Sequence, residues 1–121
     1  MADGIVLGPG EGEALRNPEN GRVAVVKAGL DDLTVLEFTI EGPFEGPPPH
    51  THDDQVDSFY VLEGDMEVFV EGEWLHAVPG TLVAAPRGVE HAFRKTDAGI
   101  CRFLNVHAPG GFERDMREMS E

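Results

Sequence analysis

The chain has 121 residues, and nine lysines and arginines stand against 23 aspartates and glutamates, which gives a formal net charge of −14. Such an acidic surface repels nucleic-acid backbones and anionic membranes, and we therefore expect neither a nucleic acid nor a membrane as partner. We attribute the excess of acidic residues to solubility. The length predicts a single domain spanning residues 1–121. Its 15 glycines and nine prolines predict many turns between short strands.

The cysteine content and the N-terminal sequence indicate the cellular compartment of the protein. Cys101 is the sole cysteine, so no intrachain disulfide and no paired-cysteine metal site can form. It lies in the apolar run 100–104, which favours a packed core thiol over a nucleophile. Residues 1–6 lack a basic segment followed by an apolar one, and no apolar run approaches the ~18 residues that span a bilayer. We expect a cytoplasmic protein.

The first elements in chain order are short. Residues 1–20 form an N-terminal arm in which only residues 5–7 are apolar enough for a short edge strand. The runs 22–28 and 33–40 follow, separated by a turn-like break, and both are typical of strands. Alternate residues of the second run share its more apolar face: Thr34, Leu36, Phe38 and Ile40.

A break rich in glycine and proline over residues 41–49 can be neither helix nor central strand. Six further strand-like runs come after it, separated by turn residues, at 58–63, 66–71, 74–78, 81–85, 91–95 and 100–107. This pattern predicts an all-β sandwich or barrel. Residues 111–121 predict a short C-terminal helix on the outside of the barrel, since Phe112, Met116 and Met119 lie at helical spacing.

The pair His50 and His52 is the first chemical signal. On a strand, residues i and i+2 point to the same side about 6–7 Å apart, so the two imidazoles could form half of a metal site. A solvated strand could carry the same pair by chance, so the pair alone leaves both readings open.

Fixed spacings around this pair extend the signal. The chain reads His50-x-His52-x4-Asp57-x6-Gly64 and, after fifteen residues, Gly80-x5-Pro86-x-Gly88-x2-His91. These segments resemble motif one (residues 42–64) and motif two (residues 80–95) of the cupin superfamily, and the chain is similar to its small single-domain, quercetinase-like members. The resemblance implies a jelly-roll β-barrel. It also implies a divalent metal bound by His50, His52, His91 and the carboxylate at position 57.

Three positions depart from the family pattern. Phe44 replaces the opening glycine, although Gly42 and Gly46 flank it, and Lys95 replaces an asparagine. Asp57 replaces a glutamate, and its side chain reaches roughly 1.5 Å less far, while metal–oxygen bonds of about 2.0–2.2 Å tolerate little slack. Asp57 could ligate directly, bind through water, or leave three histidines plus solvent; we favour direct ligation. Such nitrogen and oxygen donors suit Fe, Mn, Ni, Co or Zn.

Strand alternation also predicts a substrate pocket. Phe59 and Val61 share the face of Asp57, and Phe93 shares that of His91, so these side chains could enclose an apolar or aromatic small-molecule ligand. They could equally just fill the barrel. The remaining histidines, His76 and His107, are expected at the surface or in local hydrogen bonds.

The leading hypothesis for function is a metal-dependent cupin enzyme of the dioxygenase type, an oxidoreductase that acts on a small organic molecule in the barrel mouth. A non-catalytic module that binds a small ligand or a metal is the alternative. A third reading is a cupin isomerase or epimerase, which needs a histidine base paired with a carboxylate. A homodimer is expected, because small cupins bury an exposed sheet edge or face in a partner.

Overall fold

The computed structural model describes residues 4–17 and 21–118. Within those residues it contains nine strands and a helix: β1 (Glu13–Asn17), β2 (Arg22–Gly29), β3 (Thr34–Glu41), β4 (Val56–Glu63), β5 (Met66–Val70), β6 (Glu73–Ala77), β7 (Leu82–Ala85), β8 (His91–Arg94), β9 (Ile100–Ala108) and α1 (Phe112–Glu118). The all-β prediction is confirmed. Each predicted strand from residue 22 onward agrees with β2 to β9 within two residues at either end.

The N-terminal edge strand was predicted at the wrong place. Residues 5–7 form no strand, and Val6 is 94 % exposed. The edge strand is instead β1, whose Leu15 lies opposite Ala24 of β2 and is 2 % exposed. A strand forms where its backbone finds a partner and one face is buried, and apolar composition alone did not locate that partner.

The strands form two antiparallel sheets that pack face to face. One has six strands in the order β1-β2-β3-β9-β4-β7, and the other has three in the order β6-β5-β8. The core lies between them: the ring of Phe93 on β8 is 5.5 Å from the rings of Phe59 on β4 and Phe103 on β9. The jelly-roll prediction is confirmed, as a pair of open sheets rather than one continuous closed ladder.

Alternation along the long strands decides which side chains reach the interior. On β3 the buried residues are the four predicted to share a face, from Thr34 to Ile40. On β4 the buried set is Asp57, Phe59 and Val61. On β9 it is Cys101, Phe103, Asn105 and His107. Polar side chains therefore sit at one end of an inward face that is otherwise apolar.

The glycine-rich segment before His50 crosses close to β8. Gly46 has a φ of +77°, and a Cβ there would collide with the carbonyl oxygen of Phe93. Phe44 forms a backbone bridge with Lys95, and His50 forms one with His91. The positive φ and the close approach to β8 therefore require glycine at position 46.

The helix α1 closes one end of the space between the sheets. Met116 is 2 % exposed, and the Thr34 hydroxyl donates a 2.6 Å hydrogen bond to the Glu113 carboxylate. Phe112 and Met116 both line the internal cavity, so the expectation of an outer-surface position is wrong. Met119, predicted to continue the helix, lies outside the described residues. None of the helical structure in residues 4–17 and 21–118 is long and apolar enough to cross a membrane.

Candidate metal centre

A cavity of about 660 Å³ opens between the two sheets, within the size range of small-molecule sites. Its wall is mostly aromatic and aliphatic, and four histidines, Asp57 and Asn105 gather at one end of it. It is lined by Arg22, Phe38, Phe44, Glu45, Gly46, Pro47, Pro48, His50, His52, Asp57, Phe59, His91, Phe93, Asn105, His107, Phe112 and Met116.

Three histidines converge at the polar end. His50 and His91 exchange backbone hydrogen bonds of 3.0 and 2.9 Å, which set their side chains beside each other. His52 lies in an irregular segment and not on the regular strand that was expected, but its ring centroid is 5.0 Å from those of both other histidines. One nitrogen from each of the three lies within 4.8 Å of the others, a spacing that one metal ion can bridge.

Backbone carbonyls set the tautomers of two of these rings. Nδ1 of His50 lies 2.9 Å from the Pro48 oxygen, and Nδ1 of His91 lies 2.9 Å from the Val89 oxygen. Carbonyl oxygens only accept, so each Nδ1 carries a proton and each neutral ring keeps a lone pair on Nε2. This is the arrangement found in metal-binding histidines.

The Nε2 atom of His91 tests whether a metal fits. It is buried and has no hydrogen-bond partner of proper geometry, although Asp57 Oδ2 lies 2.9 Å away. A lone pair facing a carboxylate oxygen in a buried site is unfavourable unless a cation or a proton lies between them. The donor set therefore fits a divalent metal.

Asp57 faces this cluster from β4 and is 4 % exposed. Its Oδ2 lies 3.8 Å from Nε2 of His52, in addition to the contact with His91. Its Oδ1 accepts a 2.7 Å hydrogen bond from the amide of Asn105. One carboxylate oxygen is thus held by the protein, while the other points toward the imidazoles.

His107 also belongs to this cluster of histidines and Asp57, although the sequence pattern did not predict it there. It lies opposite Asp57 in the β4–β9 ladder and is 1 % exposed. Its Nε2 donates a 2.8 Å hydrogen bond to the Asn105 side-chain oxygen and is 3.3 Å from Asp57 Oδ1. Its ring stacks on Phe112 at 4.1 Å. The expected local hydrogen bond is present, but a surface position is excluded. His107 shares the inward face of Cys101 by alternation, which was the available signal.

Burial shifts the pKa values of these imidazoles unequally. Burial lowers the pKa of His52 and of His107, and the nearby Asp57 charge offsets this only in part. Burial also acts to lower the pKa of His91, but its contacts with Asp57 and the Val89 carbonyl outweigh it, so its pKa is raised. His91 therefore holds a proton more readily than His52 does.

The predicted pocket residues separate into two groups. Phe59 and Phe93 line the cavity, whereas Val61 is buried in the core and does not line it. Cys101 is buried too, and burial raises the pKa of its thiol to about 11, as expected for a core cysteine. His76 lies away from the cavity, with 58 % of its side chain exposed.

Known proteins resemble the chain over different lengths. A quercetin 2,3-dioxygenase from Bacillus subtilis is 27 % identical over 117 residues, which is 96 % of this chain and 34 % of that protein. The HTH-type transcriptional regulator PuuR from Escherichia coli is 40 % identical over 52 residues, 43 % of this chain and 28 % of that protein. The chain thus spans about a third or less of the curated relatives it matches.

A solved structure matches over most of both chains. The polyketide cyclase RemF from Streptomyces resistomycificus is 27 % identical and has a TM-score of 0.69, with 89 % of this chain and 80 % of RemF covered. The family model Cupin_2, described as a cupin domain, matches residues 37–107, a span that includes His50, Asp57 and His107. Since that match covers more than half of the sequence, the chain belongs to the cupin family.

Proposed function

We propose that this chain is a metal-dependent cupin enzyme of the dioxygenase type, acting on a small organic molecule held in the cavity. The observation that carries the proposal is the buried Nε2 of His91, which faces Asp57 and the other two histidines without a hydrogen-bond partner. A buried imidazole nitrogen that faces a carboxylate needs a cation or a proton between them, and a bound metal ion would supply that cation. An open site of this kind is typical of catalytic metals, whereas structural zinc sites are closed.

The metal would be held by His50, His52 and His91, with Asp57 Oδ2 as the fourth donor. When bound, a divalent Fe, Mn, Ni, Co or Zn ion supplies Lewis acidity toward an enolate or phenolate oxygen, and the redox-active ions also supply electron transfer. Asn105 keeps Oδ1 of Asp57 engaged, so the free Oδ2 is oriented before any ligand arrives.

The aromatic wall would orient the substrate and exclude water. Phe93 packs edge-on against Phe38 at 6.2 Å and lies parallel to Phe44 at 5.7 Å. A planar apolar molecule would stack against such rings. The relatives support this class of ligand, since one is named for quercetin and another for a polyketide.

A non-catalytic ligand-binding module is the second candidate, because the short match to PuuR is to a regulator. The isomerase reading is the weaker one. Although His107 lies near a carboxylate, its Nε2 is engaged by Asn105, its Nδ1 lies 3.3 Å from Gln55 Oε1, and its ring stacks on Phe112. A proton-transfer base needs a free nitrogen facing the substrate.

A homodimer is a further part of the proposal. On β4, Tyr60 is 41 % and Leu62 is 38 % exposed. On the edge strand β7, Leu82 is 63 % exposed. A second copy would cover such an apolar edge. Sedimentation of the wild type and of Leu82→Lys would test this: the variant should shift toward monomer, and a wild type that is monomeric at micromolar concentration would exclude the dimer.

Metal analysis and oxygen uptake test the enzymatic proposal. Protein purified without added metal or chelator should contain a stoichiometric divalent ion. After loading with Fe(II), Mn(II) or Ni(II), it should consume dioxygen with an enolisable or catecholic compound from a small panel and show a spectral change on binding it. If the metal binds but no compound perturbs its spectrum or takes up oxygen, the binding-module function replaces the enzymatic one.

A further inference from the structure

The side-chain amide of Asn105 has a fixed orientation beside Asp57. Its nitrogen lies 2.7 Å from Oδ1 of Asp57 and 3.1 Å from the backbone oxygen of Ser58. Both of these oxygens accept hydrogen bonds, so the amide nitrogen must face them and the amide oxygen must face the other way. That oxygen lies 2.8 Å from Nε2 of His107. Since an amide oxygen only accepts, Nε2 of His107 carries a hydrogen and offers no lone pair to a metal.

The position of this hydrogen separates His107 from the histidines proposed as ligands. His107 has a donor atom close to those of His52 and Asp57, so its place in the fold alone would allow it to bind a metal. In His50 and His91, Nδ1 carries the hydrogen and Nε2 is the free nitrogen. In His107 the nitrogen that lies 3.3 Å from Asp57 Oδ1 is the one that carries the hydrogen. His107 therefore faces the carboxylate as a donor.

The surrounding structure holds His107 in this orientation. The residue is 1 % exposed, and its ring stacks on Phe112 with the ring planes 12° apart. Asn105 lies two residues earlier on the same inward face of β9, and Asp57 lies opposite His107 on β4. The pairing of two neighbouring strands thus fixes the relative positions of these three side chains.

We propose that His107 is a positioning residue, which acts through Asn105 to hold Asp57 with Oδ2 directed at the metal. This rests on the proposed function, because it assigns a role at the same metal site. The hydrogen bond from His107 keeps the Asn105 amide from turning over, and the amide nitrogen then keeps Oδ1 of Asp57 engaged. Without His107, the Asn105 oxygen would lose its donor inside a buried site, and the amide could turn that oxygen toward the carboxylate. Hydrogen-bond partners of metal ligands control metal affinity in this way.

The Zn(II) affinities of matched variants, measured by competition with a chromophoric chelator, test this role. His107→Leu should weaken binding about fivefold, because Asp57 stays but is less well oriented. In an Asp57→Ala background the same change should have no further effect, because His107 acts through that carboxylate. His107→Gln should keep most of the wild-type affinity, because its amide can donate to Asn105. His76→Leu changes an exposed histidine and should leave the affinity unchanged.

Other outcomes would overturn the inference. A loss of more than about 100-fold in His107→Leu would make His107 a ligand. An unchanged affinity, or an equal loss in the Asp57→Ala background, would leave it a purely structural role. If His107→Leu does not fold, nitrogen NMR of the wild type decides: Nε2 of His107 should keep its hydrogen when Zn(II) is added, and a metal-bound Nε2 would contradict the proposal. A wild type that binds no Zn(II) would overturn the proposed function as well, whereas the results above contradict this inference alone.

Discussion

Two clusters of histidine and carboxylate side chains differ in how their charges are balanced. In the outer cluster, defined by Asp65, His76, Lys95 and Asp97, the ammonium of Lys95 donates to Asp65 and, at 2.9 Å, to Asp97. His76 lies 3.1 Å from Asp65. The side chain of Lys95 is 4 % exposed, so this cluster contains its own buried cation.

The cavity cluster of His50, His52, His91, His107 and Asp57 differs in this respect. The ion-pair partners of Asp57 are His52, His91 and His107, which are cationic only if protonated. In the outer cluster, the ion pairs of Lys95 with Asp65 and Asp97 stabilise the fold. In the cavity cluster the chain supplies imidazole lone pairs and a carboxylate, and the proposed metal ion would supply the cation. The predictions below test this difference.

Removing a histidine from each cluster should separate them most strongly. His91→Ala should lower Zn(II) affinity by more than about 100-fold, because loss of a direct ligand exceeds the usual effect of losing a ligand's hydrogen-bond partner. His76→Ala should leave the affinity unchanged. Competition with a chromophoric chelator measures both, and circular dichroism checks that each variant is folded. Equal losses in the two variants would contradict the assignment of the metal to the cavity.

Removing the cation of the outer cluster should affect stability rather than metal binding. Lys95→Met would leave Asp65 and Asp97 facing each other without their partner, and should lower the free energy of unfolding by about 2 kcal/mol. Arg102→Met, which breaks an ion pair with Glu37 at a side chain that is 40 % exposed, should cost less than about 1 kcal/mol. Urea denaturation measures both values. A loss of metal from Lys95→Met while it is folded would contradict the separation of the clusters.

Acid should release the metal before it weakens the outer cluster. With its raised pKa, His91 takes up a proton at a higher pH than His52 does, and we expect metal affinity to drop by more than about tenfold between pH 7 and 5. The hydrogen bond to Lys95 lowers the pKa of Asp97 in the folded protein. The ion pair therefore stabilises the fold fully at any pH above the pKa of Asp97 in the unfolded chain, and this stabilisation is lost only as the pH falls through the lower pKa of the folded protein. Titration in two buffers of different ionisation enthalpy would detect proton release. A flat affinity from pH 8 to 5 would contradict the histidine site.

The smallest effect is expected at Asp57. Asp57→Ala should weaken metal binding about tenfold without unfolding the protein, which is less than for His91→Ala, because the short aspartate side chain reaches the metal least well and three imidazoles remain. Asp57→Glu should keep or tighten it, because the longer side chain restores the reach of the family's glutamate. Unchanged metal content in Asp57→Ala would assign the carboxylate a structural role beside Asn105.

Local sequence patterns were sufficient for the strands, and the resemblance to the cupin motifs was sufficient for three of the converging histidines. Strand alternation and turn residues act over a few neighbours, so β2 to β9 could be placed by inspection. The spacings from His50 to Gly64 and from Gly80 to His91 can be read in the sequence because each covers a segment of no more than 15 residues. The position of β1 was mispredicted because its pairing with β2, and not its composition, defines it.

The site beyond those histidines depends on strand register between distant segments. Asp57 meets His107 and Asn105 only because β9 lies between β3 and β4 in the sheet, and no local pattern specifies that order. The same holds for Arg22, 35 positions before Asp57 in the sequence but in the wall of the same cavity. The sequence by itself determined the strands and the inward faces, because these follow from neighbouring residues, and its resemblance to the cupin motifs indicated His50, His52 and His91 as metal ligands. Only the tertiary structure decided which polar side chains share the cavity, because that depends on the order and register of strands far apart in the chain.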